Sequence, residues 1–546
     1  MSTAKSSEIA PVPREYSEPK SALQWLHPPT ALVFAALLLV VIFFGLIRYR
    51  LRDMPLERDE GEYAYSGQVL LEGIPPYKLA YNLKLPGIYA AYAGVMKVFG
   101  ETPAGIHCGL LVVNAVTVPL LYLLVAPLFG RLAAMLAACS WALLSTGTSV
   151  MGFQAHATNF VVPPVIVGIL LLVRALRRDC WWLFWLSGLF SGIAVLMKQH
   201  GIFFVAFCLV YLFFEARQQQ ADWRFIGWRM ATYFAGAVLP YVITCLLLWR
   251  DGVFRQFWFW TVSYAGEYSR VGLRRGVHAF LESSGAIVAQ AALVWILAAF
   301  GLTALWWGRT ARRHRTLIAL LLFFSFLSLC PGAFFRPHYF ILILPVAAIL
   351  IGVGIGSAVE RVAAHSRGAR GVPLAAFALC FGAAIFHQRQ IYFQLTPLQV
   401  FERTYPGSPF VAATKVAAFV ENNSTSADRI AVIGSEPEIY FYAHRHSATG
   451  YLYMYSLIVR HKYTARMRDE FLREIETNRP KFLVYVDAWD SWGEREGTGQ
   501  AQPFLDELRK LMNGYERAGV IDIGSPDPRG RLPAISTLRR PEQKLQ

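Results

Sequence analysis

The sequence predicts a polytopic α-helical membrane protein that ends in a C-terminal α/β domain. Hydrophobic residues make up 55% of its 546 residues, charged residues only 16%, and the mean hydropathy is +0.39. A soluble domain of this size has a larger share of charged residues on its surface than this sequence can supply. The net charge of +16 does not indicate nucleic acid as a partner, because the basic residues lie in short clusters between apolar runs, as positive-inside topology requires. We therefore expect a lipid bilayer around much of the chain.

Apolar runs along the chain predict about eleven transmembrane helices, each close to the length that a bilayer requires. These runs cover residues 28–47, 104–126, 132–149, 158–174, 181–198, 201–215, 231–249, 285–307, 316–334, 338–357 and 372–387. The fifth and sixth runs are separated by Gln199 and His200 alone, which predicts a helical hairpin with a polar tip. Residues 1–27 are polar and lack a signal-peptide cleavage site, so they predict a disordered tail.

Clusters of arginine predict the orientation of these helices. Four clusters fall on one side of the membrane when eleven helices are counted, at residues 174–178, 217–229, 309–315 and 361–370. The positive-inside rule then predicts a plasma (inner) membrane protein with a cytoplasmic N-terminus and an extracytoplasmic first loop, residues 48–103. Arg48, Arg50 and Arg52 follow the first run on the predicted outside. They either break the rule or bind an anionic ligand.

The pattern changes after the eleventh run, at about Gln388. Short β-type runs alternate there with amphipathic helical patterns, at residues 429–434, 463–478, 481–486 and 502–517. This alternation predicts an extracytoplasmic α/β domain over 388–546, either as a cap or acceptor-binding unit or as a scaffold. Gly434 follows a strand without a glycine-rich phosphate loop, so we expect no nucleotide site.

The cysteine and histidine patterns give no sign of a redox or metal centre. All seven cysteines lie in or beside apolar runs without paired spacing, which favours core packing. No histidine and cysteine residues recur at the spacing typical of metal ligands. The sequence therefore predicts no resident cofactor, with a divalent metal left open.

The first external loop carries the densest polar motif of the chain. Asp59 fits a helix N-cap with Glu62 as its capping-box partner, and the helix should run to about Leu71 and end at Gly73. Its apolar face predicts a helix lying flat on the bilayer surface or against membrane helices. Taken alone, Asp59 is most simply a cap, and Glu60 is most simply a solvated carboxylate in the first turn.

Further polar residues are predicted at the outer ends of the apolar runs. They are Lys84, His156, Thr158, Asn159, Lys198, Gln199, His200, Arg336, His338 and Tyr339. An ionisable group at a bilayer boundary is costly unless it is paired or used. Lys198 or Arg336 alone would be a snorkelling or topology residue. Together with Asp59 they predict a cavity with carboxylates and cations, suited to an anionic lipid headgroup and to a hydroxyl group that must lose its proton.

Several motifs resemble those of the type C glycosyltransferases (GT-C), in the bacterial branch related to protein O-mannosyltransferases and aminoarabinose transferases. The motifs lie at residues 59–63 (DEGEY), 73–77 (GIPPY), 84–87 (KLPG), 198–199 (KQ), 337–340 (PHYF) and 436–440 (EPEIY). The resemblance extends over about residues 30–520. It implies the GT-C fold, with a transmembrane catalytic domain over residues 28–387.

The resemblance also implies an activity. Such enzymes transfer a sugar from a polyprenyl-phosphate donor to an acceptor hydroxyl at the outer membrane face, with inversion, and the acceptor can be a glycan, a lipid or a protein. Asp59 would be the general base, shielded from cations that would lower its pKa, and Glu60 its catalytic neighbour. The implied substrate-binding residues are Tyr63, Lys84, His156, Asn159, Lys198, Arg336 and His338. Lys84 is the first choice for the phosphate of the leaving group.

One departure from the family pattern leaves other functions open. The family often has an acid near the outer start of the fourth span, where this sequence has Thr158 and Asn159. An amide can bind sugar hydroxyls but cannot act as a base, so an inactive lipid-binding homologue is one alternative. The other is a polytopic transporter or flippase of lipid-linked substrates. That class favours ionisable residues near mid-span and an internal repeat, and the sequence shows neither.

Overall fold

The computed structural model describes residues 30–268, 273–366, 368–492, 498–524 and 533–541. The predicted tail, residues 1–27, lies outside the described residues. The helices before the C-terminal region are α1 (Thr30–Arg50), α2 (Arg58–Leu71), α3 (Gly87–Phe99), α4 (Pro103–Phe129), α5 (Arg131–Leu144), α6 (Ala157–Arg178), α7 (Trp181–Met197), α8 (Ile202–Gln218), α9 (Trp223–Arg250), α10 (Phe254–Trp258), α11 (Ala265–Tyr268), α12 (Leu273–Gln290), α13 (Ala292–Trp307), α14 (Arg309–Arg313), α15 (Arg315–Leu327), α16 (Leu344–His365) and α17 (Gly371–His387).

Six helical segments among the described residues are long and apolar enough to cross a membrane. They are α1, α4, α6, α9, α16 and the segment Gln199–Gln218, in which a 3-10 turn leads into α8. The shorter apolar helices α5, α7, α15 and α17 coincide with four more of the predicted runs. A polytopic helical membrane fold is thus confirmed.

The predicted continuous run over 285–307 is wrong. The chain bends by 103° between α12 and α13. Gln290 lies at the break, where its side-chain amide donates to Thr148 Oγ1 (2.9 Å) and to Gln388 Oε1 (3.0 Å). These polar contacts fix the end of α12 against the 3-10 turn Thr148–Val150, and a straight helix would forfeit them.

Small residues allow several apolar helices to approach closely. A Cβ atom at Gly188 of α7 would collide with the carbonyl oxygen of Tyr233 in α9. A Cβ atom at Gly301 of α13 would likewise collide with the carbonyl oxygen of Leu350 in α16. In a bilayer such backbone proximity replaces the hydrophobic effect as the main source of helix association.

The structure decides between the two interpretations of the arginines after the first span. Arg48 is buried and donates to the carbonyl oxygens of Gly152 (2.5 Å) and Ser145 (2.8 Å). Arg50 donates to three carbonyl oxygens at the end of the π-helical turn Gln390–Gln394. Both side chains therefore satisfy backbone acceptors, so neither Arg48 nor Arg50 supports the interpretation that the three arginines bind an anionic ligand.

The C-terminal region is an α/β unit with a four-stranded sheet. Its helices and strands are α18 (Pro397–Thr404), α19 (Phe410–Asn422), β1 (Ile430–Ile433), α20 (Glu438–Ala443), α21 (Tyr455–Ile458), α22 (Thr464–Asn478), β2 (Phe482–Asp487), α23 (Thr498–Met512), β3 (Glu516–Asp522) and β4 (Ala534–Arg539). The strand order is β1-β2-β4-β3, with β1 parallel to β2 and the other pairs antiparallel. Both predicted strands are confirmed. The predicted helix over 502–517 ends five residues early, because β3 begins at Glu516.

The helix of the first loop connects the two parts of the molecule. Ten consecutive residues of α2, from Glu60 to Val69, are buried, and the helix packs against α3 and against α20 of the C-terminal region. At Gly61 an added Cβ would lie 2.5 Å from Cβ of Glu438. Of the two positions predicted for α2, packing against other helices is the one observed, and the C-terminal region covers the helix.

Candidate active site

The first turn of α2 places Asp59 differently from the sequence prediction. The N-cap is Glu57, whose side chain accepts from the amide of Glu60 (2.9 Å), while the Glu60 side chain accepts from the amide of Glu57 (3.3 Å). The predicted capping box of Asp59 and Glu62 is thus wrong. Asp59 is the second helical residue, so its carboxylate lies near the positive end of the helix dipole and is not consumed by capping.

Asp59 faces a cavity of about 300 Å³ between the first loop, the ends of the apolar helices and the C-terminal region. Seven of the nine predicted site residues line this cavity: Asp59, Tyr63, Lys84, His156, Lys198, Arg336 and His338. They come from five separate stretches of sequence. The structure therefore brings together most of the side chains that sequence reasoning selected.

Two predicted site residues do not line the cavity. Glu60 is completely buried and accepts hydrogen bonds from His107 Nε2 (3.0 Å) and from the backbone amide of Ala155 (2.5 Å). Asn159 is buried in α6 and donates to the carbonyl oxygen of Gln154 (3.2 Å). Glu60 therefore braces the protein interior beside Asp59, and of the roles expected for it, orienting Asp59 stays a prediction while a direct contact with substrate is not supported by its position. Substrate binding by Asn159 is likewise not supported by its position.

Lys84 is held between two carboxylates at the bottom of the cavity. Its Nζ lies 2.7 Å from Asp59 Oδ1 and 2.6 Å from Glu62 Oε2. Burial raises the pKa of Asp59, but the charge and hydrogen bond of Lys84, together with the charges of His156 and Lys198, outweigh burial and hold this pKa well below its usual value. The expected shielding of Asp59 from cations is therefore absent from this structure.

Glu62 is a site residue that sequence reasoning missed. Its carboxylate is completely buried and accepts from Lys84, from Tyr89 OH (2.7 Å) and from Tyr453 OH (2.9 Å). Burial raises the pKa of Glu62 in spite of these contacts. Glu62 follows Asp59 by three residues, so both acids lie on one face of the helix. This spacing could have identified Glu62 as a site residue from the sequence.

The wall formed by the apolar helices, which we call the membrane wall, carries cations. Lys198 follows α7 at the tip of the predicted hairpin, and its ammonium group lies 4.4 Å from the ring centroid of Tyr339. Arg336 lines the same wall, directly before the 3-10 turn Pro337–Leu342. Two cations from separate stretches thus border one side of the cavity, which favours an anionic group there.

Two histidines and Asp59 form a cluster that can hold a metal ion. The rings of His156 and His338 stack with centroids 4.1 Å apart, and one ligand atom from each of the three residues lies within 4.8 Å of the others. Within the described part of the chain, neither ring nitrogen of the buried His156 has a hydrogen-bond partner. Imidazole and carboxylate ligands suit Zn²⁺ and related divalent ions. This cluster fits the metal that the sequence left open, and no local spacing could reveal it.

The part of the cavity that the C-terminal region lines, which we call the C-terminal wall, is mainly aromatic. Tyr453 and Tyr455 stack with ring centroids 5.7 Å apart, and Tyr451 precedes them with the same spacing of two. Tyr81 of the first loop stacks on Trp260, which lies in the π-helical turn Phe259–Tyr264. Sequence reasoning missed this wall, although the tyrosines at 451, 453 and 455 alternate as residues on one side of an extended chain do.

Comparisons with known proteins bear on the fold of this chain. A family model described as dolichyl-phosphate-mannose-protein mannosyltransferase matches residues 84–249. None of the curated proteins matches the chain. The solved structure of ArnT from Cupriavidus metallidurans bound to undecaprenyl phosphate is 14% identical, with a TM-score of 0.57 over 95% of this chain and 98% of that one.

A second solved structure has the same fold in another lineage. The archaeal oligosaccharyltransferase AglB from Archaeoglobus fulgidus, in complex with an inhibitory peptide and a dolichol-phosphate, is 12% identical, with a TM-score of 0.53 over 93% of this chain and 75% of that one. The predicted GT-C membrane fold with a C-terminal domain is thereby confirmed, as is the resemblance to GT-C glycosyltransferases.

Proposed function

We propose that this chain, which has the fold of GT-C membrane glycosyltransferases, is an inverting glycosyltransferase that uses a polyprenyl-phosphate sugar and an acceptor hydroxyl. The observation that carries this proposal is the single cavity that is lined by Asp59, by basic side chains at the ends of the apolar helices and by tyrosines of the C-terminal region. The two solved structures with this fold bind undecaprenyl phosphate and dolichol-phosphate. A lipid-linked phosphate is accordingly the donor class that we propose here.

Asp59 acts as the general base in this proposal. Its side chain is 26% exposed and borders the cavity, so an acceptor hydroxyl can reach it. The acceptor oxygen attacks the anomeric carbon and forms the new glycosidic bond, while the bond from that carbon to the phosphate oxygen breaks. The hydroxyl proton passes to Asp59, and the polyprenyl phosphate leaves with the bonding electron pair.

Lys84 couples donor binding to the strength of this base. While Lys84 contacts Asp59, the carboxylate is a weak proton acceptor because its pKa is low. A donor phosphate offers Lys84 a second anion, and Glu62 keeps the ammonium group anchored at 2.6 Å. A shift of Lys84 from Asp59 to the phosphate would raise the basicity of Asp59 only when donor is present.

Lys198 and Arg336 bind the donor phosphate together with Lys84. The developing charge on the leaving phosphate needs fixed cations, and all three side chains border the cavity. A divalent ion held by Asp59, His156 and His338 would supply further positive charge for this phosphate, and it would compete with the role of Asp59 as the base.

The membrane topology belongs to the same proposal. We place the N-terminus in the cytoplasm and the active site with residues 388–546 outside the plasma (inner) membrane, since the arginine clusters require it. The catalytic unit is then residues 28–387 with the first loop over 48–103.

The experiment that tests the proposal combines the purified protein with radiolabelled polyprenyl-phosphate sugars and membrane acceptors. Asp59→Asn should reduce transfer by about 10²- to 10⁴-fold, the usual contribution of a positioned base. Asp53→Asn is the matched control, because Asp53 is exposed and outside the cavity. Transfer that survives in Asp59→Asn at the wild-type rate would refute the base assignment.

A further inference from the structure

We propose that Glu436 of the C-terminal region, acting through Arg58, is a positioning residue for Asp59. This inference rests on the proposed function. It gives the C-terminal region a role in catalysis in addition to a structural one. The region would set the orientation of the catalytic carboxylate as well as cover the cavity.

Arg58 is the contact through which this would occur. It is the first residue of α2 and directly precedes Asp59. Its Nε donates to the carbonyl oxygen of Ser435 (2.6 Å), and its Nη2 donates to Glu436 Oε1 (2.9 Å). The same nitrogen lies 3.4 Å from Asp490 Oδ2. The guanidinium group is thus held at two of its nitrogens by residues of the C-terminal region, nearly 400 positions along the chain.

Glu436 is itself rigidly placed. It is completely buried, and its second carboxylate oxygen accepts from the amide of Ser435 (2.7 Å) and from Ser491 Oγ (2.7 Å). Burial raises the pKa of Glu436, and the charge of Arg58 opposes this rise. A buried ion pair with satisfied hydrogen bonds permits little movement, and removal of one partner leaves a buried charge uncompensated.

The next turn of α2 allows no compensating shift. An added Cβ at Gly61 would lie 2.5 Å from Cβ of Glu438, so backbone meets backbone at this point. Arg58 and Gly61 therefore fix the helix on either side of Asp59. Catalytic groups need placement within about 0.5 Å of the productive geometry, which this arrangement provides.

The other end of α2 supplies an internal comparison. Glu72, the C-cap residue, lies 2.5 Å from Nε2 of His446 in the C-terminal region. This pair also joins α2 to the C-terminal region, but it is solvent-exposed and thirteen positions after Asp59. Glu72 is thus the control for a contact between α2 and the C-terminal region at a distance from Asp59, and the separate effects on kcat and donor KM distinguish positioning from docking.

The first measurement is hydrogen exchange on the full-length protein in lipid nanodiscs, which needs no substrate. Glu436→Gln should increase amide exchange in residues 57–64, and Glu72→Gln should leave exchange there unchanged. Should Glu436→Gln fail to fold, Ser491→Ala removes the hydrogen bond from Ser491 Oγ to Glu436 and the one that Ser491 Oγ accepts from the amide of Ser435, and it should raise exchange in the same residues to a smaller extent.

The second measurement is steady-state transfer with a polyprenyl-phosphate sugar. Glu436→Gln should lower kcat by about tenfold or more, since a misplaced base costs rate, with the donor KM within twofold of wild type. Glu72→Gln should change neither parameter. Equal effects of the two variants on exchange, or a raised donor KM with an unchanged kcat, would overturn the inference. Unimpaired transfer in Asp59→Asn would instead refute the proposed function, whatever the exchange experiment shows.

Discussion

The two walls of the cavity differ in chemistry. The membrane wall presents Lys198, Arg336 and the stacked histidines, whereas the C-terminal wall presents the ring faces of Tyr453 and Tyr455. The hydroxyl groups of these two tyrosines donate to Glu62 and to the carbonyl oxygen of Asp490, so both are already engaged. A phosphate is therefore better matched to the first wall and a neutral acceptor to the second. Asp59 lines the same cavity, where a proton would be removed.

The largest effect should come from the cationic side of this comparison. Lys198→Ala should raise the donor KM by about 10- to 100-fold, because a charge-assisted hydrogen bond contributes about 1.5–3 kcal/mol. Lys97→Ala is the control, since Lys97 lies exposed at the end of α3. Donor titrations with undecaprenyl phosphate check the result. Equal affinity of the two variants for this lipid would remove Lys198 from the phosphate site.

The next effect concerns the pH dependence of the base. Asp59 must be ionised to accept a proton, so kcat/KM falls as the pH drops through its pKa. Lys84 holds this pKa low; in Lys84→Met the remaining burial raises it, and the acid limb should move to higher pH. Lys84→Arg keeps the charge and should keep the limb near its wild-type position. An acid limb that does not move in Lys84→Met would show that another group accepts the proton.

A smaller effect concerns metal binding by His156 and His338, the histidine pair of the membrane wall. Isothermal titration of the protein with Zn²⁺ or Mn²⁺ should reveal binding that His338→Ala and His156→Ala both weaken, because each residue supplies one ligand atom. His278→Ala is the control, since His278 is exposed and outside the cavity. Equal metal binding by all three variants would show that the pair is a ring contact alone.

The smallest effect is expected from the C-terminal wall. Tyr453→Phe removes one hydrogen bond to Glu62, worth about 0.5–1.5 kcal/mol, and should lower the transfer rate by a few-fold. Tyr515→Phe removes a comparable bond to the carbonyl oxygen of Pro480, away from the cavity, and should not affect transfer. If Tyr453→Phe instead impairs donor binding as strongly as Lys198→Ala, the division between the two walls is wrong.

The sequence predicted the membrane wall better than the C-terminal wall for a physical reason. Lys198 and Arg336 interrupt apolar stretches, where the cost of a charge marks them as functional. The roles of Glu60 and Glu62 could not be told apart from the sequence, because nearby acids in one turn can point in opposite directions and only tertiary contacts decide which one is a brace. Tyr453 reaches Glu62 across 391 positions of sequence, a pairing that no local pattern encodes.

The fold shows the same limit. Long apolar runs identified most helices, but the bend at Gln290 depends on side-chain partners in two distant segments. Strand β3 lies at the edge of the sheet. It is mostly exposed and carries little hydrophobic pattern. Its amphipathic neighbour α23 therefore appeared to continue into it.

The most direct test of the two-wall account is an electron cryo-microscopy structure of the full-length protein with undecaprenyl phosphate. The account predicts phosphate density within hydrogen-bond distance of Lys198 and Arg336, with the Lys84 ammonium group moved from Asp59 towards the phosphate. Phosphate density against Tyr453 and Tyr455, with Lys84 still bound to Asp59, would contradict it.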